Sequence, residues 1–321
     1  MLSRRLLRVK VMQMVYAYHQ SGDDSVKNIE KALFHSISKS FELYHLLLLL
    51  LVELQKLAAN RIEVGRNKKI PSPEELNPNT RFVDNVVIAQ LSDNVYLNRY
   101  IDSTGLSWAH SPELVKEIFE EVIKSDVYAN FMGEKSDTYD VQKRFIVKLV
   151  EKVIGQYEPL YTQLEEQSVF WNDESEFVVS MVIKTFKEFE EKNGAEQPLL
   201  QENGDDDDGT AADDRKFVST LFRKSISNKE SYTELIKQFS HNWDLDRVAF
   251  VDIVLMHIAL TEIIEFPLIP IKVSLNEYIE IAKHYSTPKS GIYINGMLDK
   301  ISEHLIKEGK VKKKGLEEIK K

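Results

Sequence analysis

The chain has 321 residues, 43% of them hydrophobic and 29% charged, with a net charge of −9. That is enough apolar material for one large or two small domains, which excludes a globally disordered protein. With no cysteine, disulfides, thiolate metal sites and thiol nucleophiles are excluded, and the acidic average disfavours nucleic acid unless cations gather locally.

Only 12 Gly and 9 Pro occur, amid long runs of Leu, Glu, Lys and Ile, so the fold class reads as all-α. Residues 3–20 form a first helix with an apolar stripe of Leu7, Val11, Met14 and Tyr18. Gly22-Asp23-Asp24 ends it, and Ser25 caps a second helix that turns Ile29, Leu33 and Phe34 inward. Residues 41–64 read as a separate helix, buried on most sides. Pro71, Pro73 and Pro78 break the chain. Helices resume over 81–100 and 111–131, the latter opened by Ser111-Pro112-Glu113, and a further block spans 141–191. Residues 193–214 read as a disordered acidic linker, 215–306 as a last compact stretch and 307–321 as a basic tail. The longest apolar run, Leu46 to Val52, falls well short of the ~20 residues that cross a bilayer. No apolar signal region follows Met1, so a soluble, cytoplasmic protein without membrane contact is expected.

Residues 144–183, shifted by 72, align without a gap onto 216–255. Phe145 falls on Phe217, Leu149 on Leu221, Ile154 on Ile226 and Trp171 on Trp243. A duplicated helical module explains this, as does the shared period of any two amphipathic stretches.

The charge is unevenly placed. Residues 1–20 hold Arg4, Arg5, Arg8 and Lys10 and no acid, whereas 202–214 hold seven acids and no base. On a helical wheel the three arginines span an arc of roughly 100° beside the apolar stripe. Cations are unfavourable in a first turn, so an external anion is one reading and a solvated basic face the other. Near the other end, Ser274-Leu275-Asn276-Glu277 has the form of a capping box, and Leu275, Ile279 and Ala282 line an inner face with Lys283 outside it. A turn from Tyr285 to Lys289 follows, with Thr287 as its cap. Lys289 and Tyr293 pair a cation with a ring, beside the amide of Asn295, as single-stranded RNA requires. A structural helix junction, with Tyr293 in the core, explains the same residues.

The run from Ile269 through Asn276-Glu277, Ala282-Lys283 and Ser290 to Asn295-Gly296-Met297-Leu298-Asp299-Lys300 resembles the C-terminal signature of the NusB family. Arg4-Arg5, Arg8, Gln13 and Tyr16 resemble that family's opening helix. Asp246 to Ile263, with Ile258-Ala259-Leu260 and Glu262, resembles its central apolar helix. The resemblance covers roughly 1–40 and 215–305, leaving 41–192 as a helical insertion before the linker. It implies a helical bundle that binds the boxA element of nascent ribosomal RNA, a single-stranded target, together with the ribosomal protein NusE. Other Nus factors and RNA polymerase are the further partners it implies, with suppression of transcription termination as the outcome. By position, it implies an RNA face of Arg4, Arg5, Arg8, Lys283, Lys289, Tyr293 and Asn295. Tyr16, Asp246 and Asp252 match positions that face NusE. Lys289 stands where relatives can carry an acid.

No Walker loop, G-x-G-x-x-G or H-E-x-x-H occurs, and none of the eight histidines pairs with another at metal spacing. No enzyme, metal or cofactor is expected. NusB-like domains also precede some rRNA cytosine methyltransferases, but those need a catalytic cysteine, which this chain lacks. The alternative to RNA binding is a helical scaffold for proteins alone.

Overall fold

The computed structural model describes residues 2–21, 25–172, 174–200, 210–240, 248–311 and 313. Among these, every regular element is helical. In chain order they are α1 (Arg4–Ser21), α2 (Val26–Arg66), α3 (Pro73–Leu76), α4 (Val86–Ser92) and α5 (Val95–Thr104). Then come α6 (Pro112–Lys124), α7 (Asp126–Met132), α8 (Tyr139–Lys152), α9 (Glu158–Gln167) and α10 (Ser175–Glu188). The last are α11 (Thr210–Ser227), α12 (Lys229–Phe239), α13 (Phe250–Glu265), α14 (Ile271–Tyr285) and α15 (Ser290–Lys307). No helix is long and apolar enough to cross a membrane, among the described residues.

Two expectations need correction. The helices expected on either side of residue 40 are one, α2, 41 residues long. Neither Pro nor Gly interrupts it before Gly65, and a shift from amphipathic to apolar composition does not break a helix. The expected linker is structured at both ends. Residues Glu191–Glu196 form a 3-10 turn, Gln197 and Leu199 are buried, and α11 already starts at Thr210. The Asp205–Asp208 run lies outside the described residues, as do Gly22-Asp23-Asp24, Trp243 and 314–321.

Local chemistry sets the shorter helices. Asn85 and Asn94 cap α4 and α5 by accepting from two backbone N–H groups each, and Gly105 ends α5 in the left-handed region at φ 70°. Ser72 and Glu75 form a reciprocal capping box on α3. Ser111 does precede α6, but its hydroxyl does not cap it.

The chain divides into two compact units, one of residues 3–37 and 203–321, the other of 38–202. The division falls inside α2. In the second unit the apolar run of α2 is buried, Trp108 donates to the Leu46 carbonyl and Trp171 to that of Lys39. Phe82 meets Phe119, Tyr128 and Phe145 there. In the first unit α1 packs against α11, α13 and α14, and α14 lies along α15. Shifted by 72 residues, α8, α9 and α10 fall close to α11, α12 and α13, and Phe145, Phe217, Leu149 and Leu221 are all buried.

Candidate nucleic-acid interface

The sequence of α1 places an arginine on each of three neighbours. The helix buries Leu6, Leu7, Val9, Val11 and Val15, a wider surface than a single stripe, and so lies among other helices rather than on top of them. Each guanidinium at its start then meets a carboxylate from a different helix.

Arg8 faces α13. Its Nε and Nη2 donate to Glu262 Oε2 and Oε1 at 2.7 and 2.9 Å. The side chains are 4% and 0% exposed. Glu262 also accepts from Ser274 Oγ at 2.8 Å and Tyr278 OH at 3.1 Å. Burial opposes the Arg8 charge, yet the bonds and charge of Glu262 outweigh it and hold the guanidinium above its ordinary range. Arg5 faces α14, donating to both Glu277 oxygens at 3.0 and 2.8 Å. That fork draws the Glu277 carboxyl below the usual carboxylate range, although the Arg5 side chain stays 40% exposed. Arg4 faces α11, with Nε 2.8 Å from Asp214 Oδ1 and its guanidinium 4.4 Å from the centre of the Phe217 ring.

Arg8 is therefore corrected: buried, with its donors on Glu262, it is not on an RNA surface. It fastens α1 to α13. The capping box is corrected too. The helix α14 begins at Ile271, so Ser274 and Glu277 lie inside it and serve Glu262 and Arg5 instead.

Of the other expected RNA contacts, Lys283 is exposed and pairs with Glu280 at 2.5 Å. Hydrogen bonding by Lys283, with the nearby charge of Arg5, holds the Glu280 carboxyl below its usual range. Arg5 from α1 and Lys283 from α14 thus each neutralise one of two neighbouring carboxylates, Glu277 and Glu280, along α14. Lys289 and Asn295 are exposed beyond its C-terminus, Lys289 more than two turns from Glu277. Tyr293 is half-buried, its hydroxyl turned inward toward Asp252. Thr287 does not cap α15, for Lys289 occupies that position without a side-chain bond.

Among the expected NusE contacts, Tyr16 is 39% exposed with its ring 5.3 Å from Phe250. Asp246 lies outside the described residues. Asp252 is a correction: only 4% exposed, it accepts from Ser290 Oγ at 2.7 Å and ties α13 to the start of α15. A short carboxylate one turn into α13 reaches the positive end of α15 more readily than solvent.

Sequence reasoning missed Asp214 and Phe217, and took Glu277 for a cap. The available signal was the absence of any acid from the first turn of α1, which left three cations needing partners from elsewhere. Among the described residues, no three His, Asp or Glu gather closely enough to hold a metal ion.

The NusB family profile matches residues 176–303, a span that contains α11 to α14 and most of α10 and α15 but not α1. The transcription antitermination protein NusB of Salinibacter ruber is 39% identical over 138 residues, covering 42% of this chain and 84% of that protein. Its counterpart in Desulfatibacillum aliphaticivorans is 44% identical over 99 residues, 31% of this chain and 69% of that protein. A solved structure of T. maritima NusB is 24% identical, covers 50% of this chain and 90% of its own, and has a TM-score of 0.28. With more than a third of residues identical across most of the length of the S. ruber protein, the chain belongs to the NusB family.

Proposed function

We propose that the protein is a transcription antitermination factor that binds boxA-like single-stranded RNA, alongside NusE, and acts with other Nus factors on RNA polymerase. In this reading it is a binding protein and not an enzyme, and it works in the cytoplasm. The observation that carries the reading is the likeness to the S. ruber transcription antitermination protein over 84% of that protein's length. The exposed cations Arg4, Arg5, Lys283 and Lys289, with Asn295, are the groups that would meet the RNA. Cations supply salt-sensitive phosphate binding, and amides and rings at the α14–α15 turn read bases. Tyr16, beside Phe250, is the described residue that would meet NusE. The residues of 41–175, ahead of the span that the family profile matches, are an addition to the NusB-like body in this reading.

Filter binding of a boxA-like RNA to the full chain, alone and with NusE, tests this. Arg4→Ala/Arg5→Ala should weaken binding at least tenfold while circular dichroism keeps its helical signal. An unchanged affinity would remove α1 from the site, and no binding at low salt with NusE present would end the reading.

A further inference from the structure

The arginines that would meet RNA are not waiting empty. Arg4 and Arg5 each stand on a carboxylate of their own chain, and the two pairs differ in quality. Arg5 and Glu277 make a two-bonded fork. Arg4 and Asp214 lie 2.8 Å apart, but the N–H is not aligned on the carboxylate, and Asp214 Oδ1 accepts no hydrogen bond. Burial raises the Asp214 carboxyl above its usual range even with Arg4 beside it, whereas Glu277 is drawn down. Arg4 makes no hydrogen bond among the described residues, and its guanidinium carbon lies over the Phe217 ring, 4.4 Å from its centre, while its side chain is 37% exposed.

We propose that Asp214 and Glu277 are internal competitors for phosphate: they hold Arg4 and Arg5 in ion pairs that an RNA backbone must open, and so set the affinity of this surface. The inference rests on the RNA-binding reading above. The unaligned Arg4–Asp214 pair opens first and the Arg5–Glu277 fork second. Arg8, enclosed with Glu262, does not open. Phe217 keeps the Arg4 guanidinium in place when Asp214 is released, so the cation changes partner without losing its position. An occupied guanidinium contributes nothing to non-specific RNA until a phosphate outcompetes a carboxylate, and this lowers unspecific affinity in an otherwise accessible basic surface.

The test is salt-dependent binding of the full chain to a boxA-like RNA and to polyuridine of equal length. Asp214→Asn, nearly the same shape, should raise affinity for both RNAs several-fold. It should also steepen the slope of log affinity against log salt by about 0.7, one further phosphate contact on a single strand. Glu277→Gln reports independently on the second pair and should also raise affinity. Asp213→Asn is the control, because it removes the same charge from an exposed neighbour that holds no arginine. Adding Arg4→Ala to Asp214→Asn should abolish the gain. Equal gains from Asp213→Asn and Asp214→Asn would overturn the proposal, as would wild-type binding that Asp214→Asn and Glu277→Gln leave unchanged. The RNA-binding reading would survive either result. No binding by wild type or any variant at low salt would instead end both together.

Discussion

In the unit of 3–37 and 203–321, Arg8, Lys10, Glu30, Asp252, His257, Glu262 and Lys313 are all buried. In the unit of 38–202 the corresponding described residues are His45 and Glu174. The second unit secures its interior with neutral groups: Asn85 and Asn94 as caps, indole N–H groups on carbonyls, and Tyr44 OH 2.8 Å from Thr185 Oγ1. Neutral bonds of this kind tolerate small shifts, and most of the unit's stability comes from apolar burial. A buried ion pair tolerates little, because losing one partner leaves a charge without compensation. The unit that carries the candidate RNA surface is therefore held by charges from sequence-distant helices. It should be the more sensitive of the two to charge, pH and single substitutions.

The largest expected effect follows from Glu262→Ala. It strips Arg8, Ser274 and Tyr278 of a common acceptor inside a closed core. The cost should be about 3–5 kcal/mol, borne by the first unit. In a Trp243→Phe background, Trp108 and Trp171 report by fluorescence on the second unit alone. Urea unfolding should then show the circular-dichroism transition of the first unit moving to lower denaturant, with the fluorescence transition unmoved. Coincident shifts of both signals would show that the units do not differ as argued.

Acid and base sharpen the same contrast. Burial presses His257 down to about 4, and His45 likewise to about 4 despite the Phe41 carbonyl. An unfolded histidine binds its proton at its ordinary value of 6.5, so between 6.5 and 4 the unfolded state holds more protons. Each unit should lose up to about 3 kcal/mol as pH falls through that window. Above neutrality the units part. Burial lowers Lys10 from 10.5 to about 7 and Lys313 from 10.5 to about 8, so the first unit gains stability as pH rises from 7 toward 10.5, where the unfolded lysines lose their protons. The second unit buries no lysine among the described residues and should hold steady. Urea midpoints for each transition across this range check the claim, and parallel alkaline behaviour of the two would refute it.

The helical class, the apolar character of 41–64 and the start of α6 were legible because they depend on period and on neighbours a few residues away. The destinations of polar groups were not. Arg8 and Glu262 are separated by 254 residues, Arg5 and Glu277 by 272. A helical wheel puts the three arginines on an arc but cannot say which of them another helix will cover. The capping-box misreading has the same origin. Ser274-x-x-Glu277 satisfies the local pattern, but Pro270 starts the helix earlier and frees both side chains for long-range partners. Asp252 was expected to face a partner because it matches an acidic position of the family pattern, yet Ser290 lay within reach across the bundle.

The smallest predicted effects lie in the second unit and separate a cap by sequence from a cap by geometry. Asn94 accepts from the N–H groups of Tyr96 and Leu97 at 3.1 and 3.0 Å and donates to the Gln197 carbonyl at 2.7 Å. Asn94→Ala leaves buried donors and an acceptor unmet, and should cost about 2 kcal/mol in the fluorescence-detected transition. Ser111 has the equivalent position before α6 and the better local pattern, with Pro112 after it. Its hydroxyl makes only long contacts to the amides of Gln163 and Gln167, at 3.3 and 3.4 Å. Ser111→Ala should therefore change stability by less than about 0.5 kcal/mol. If the two substitutions cost the same, the neutral bonds of this unit would be interchangeable, and its interior would owe its order to apolar packing alone.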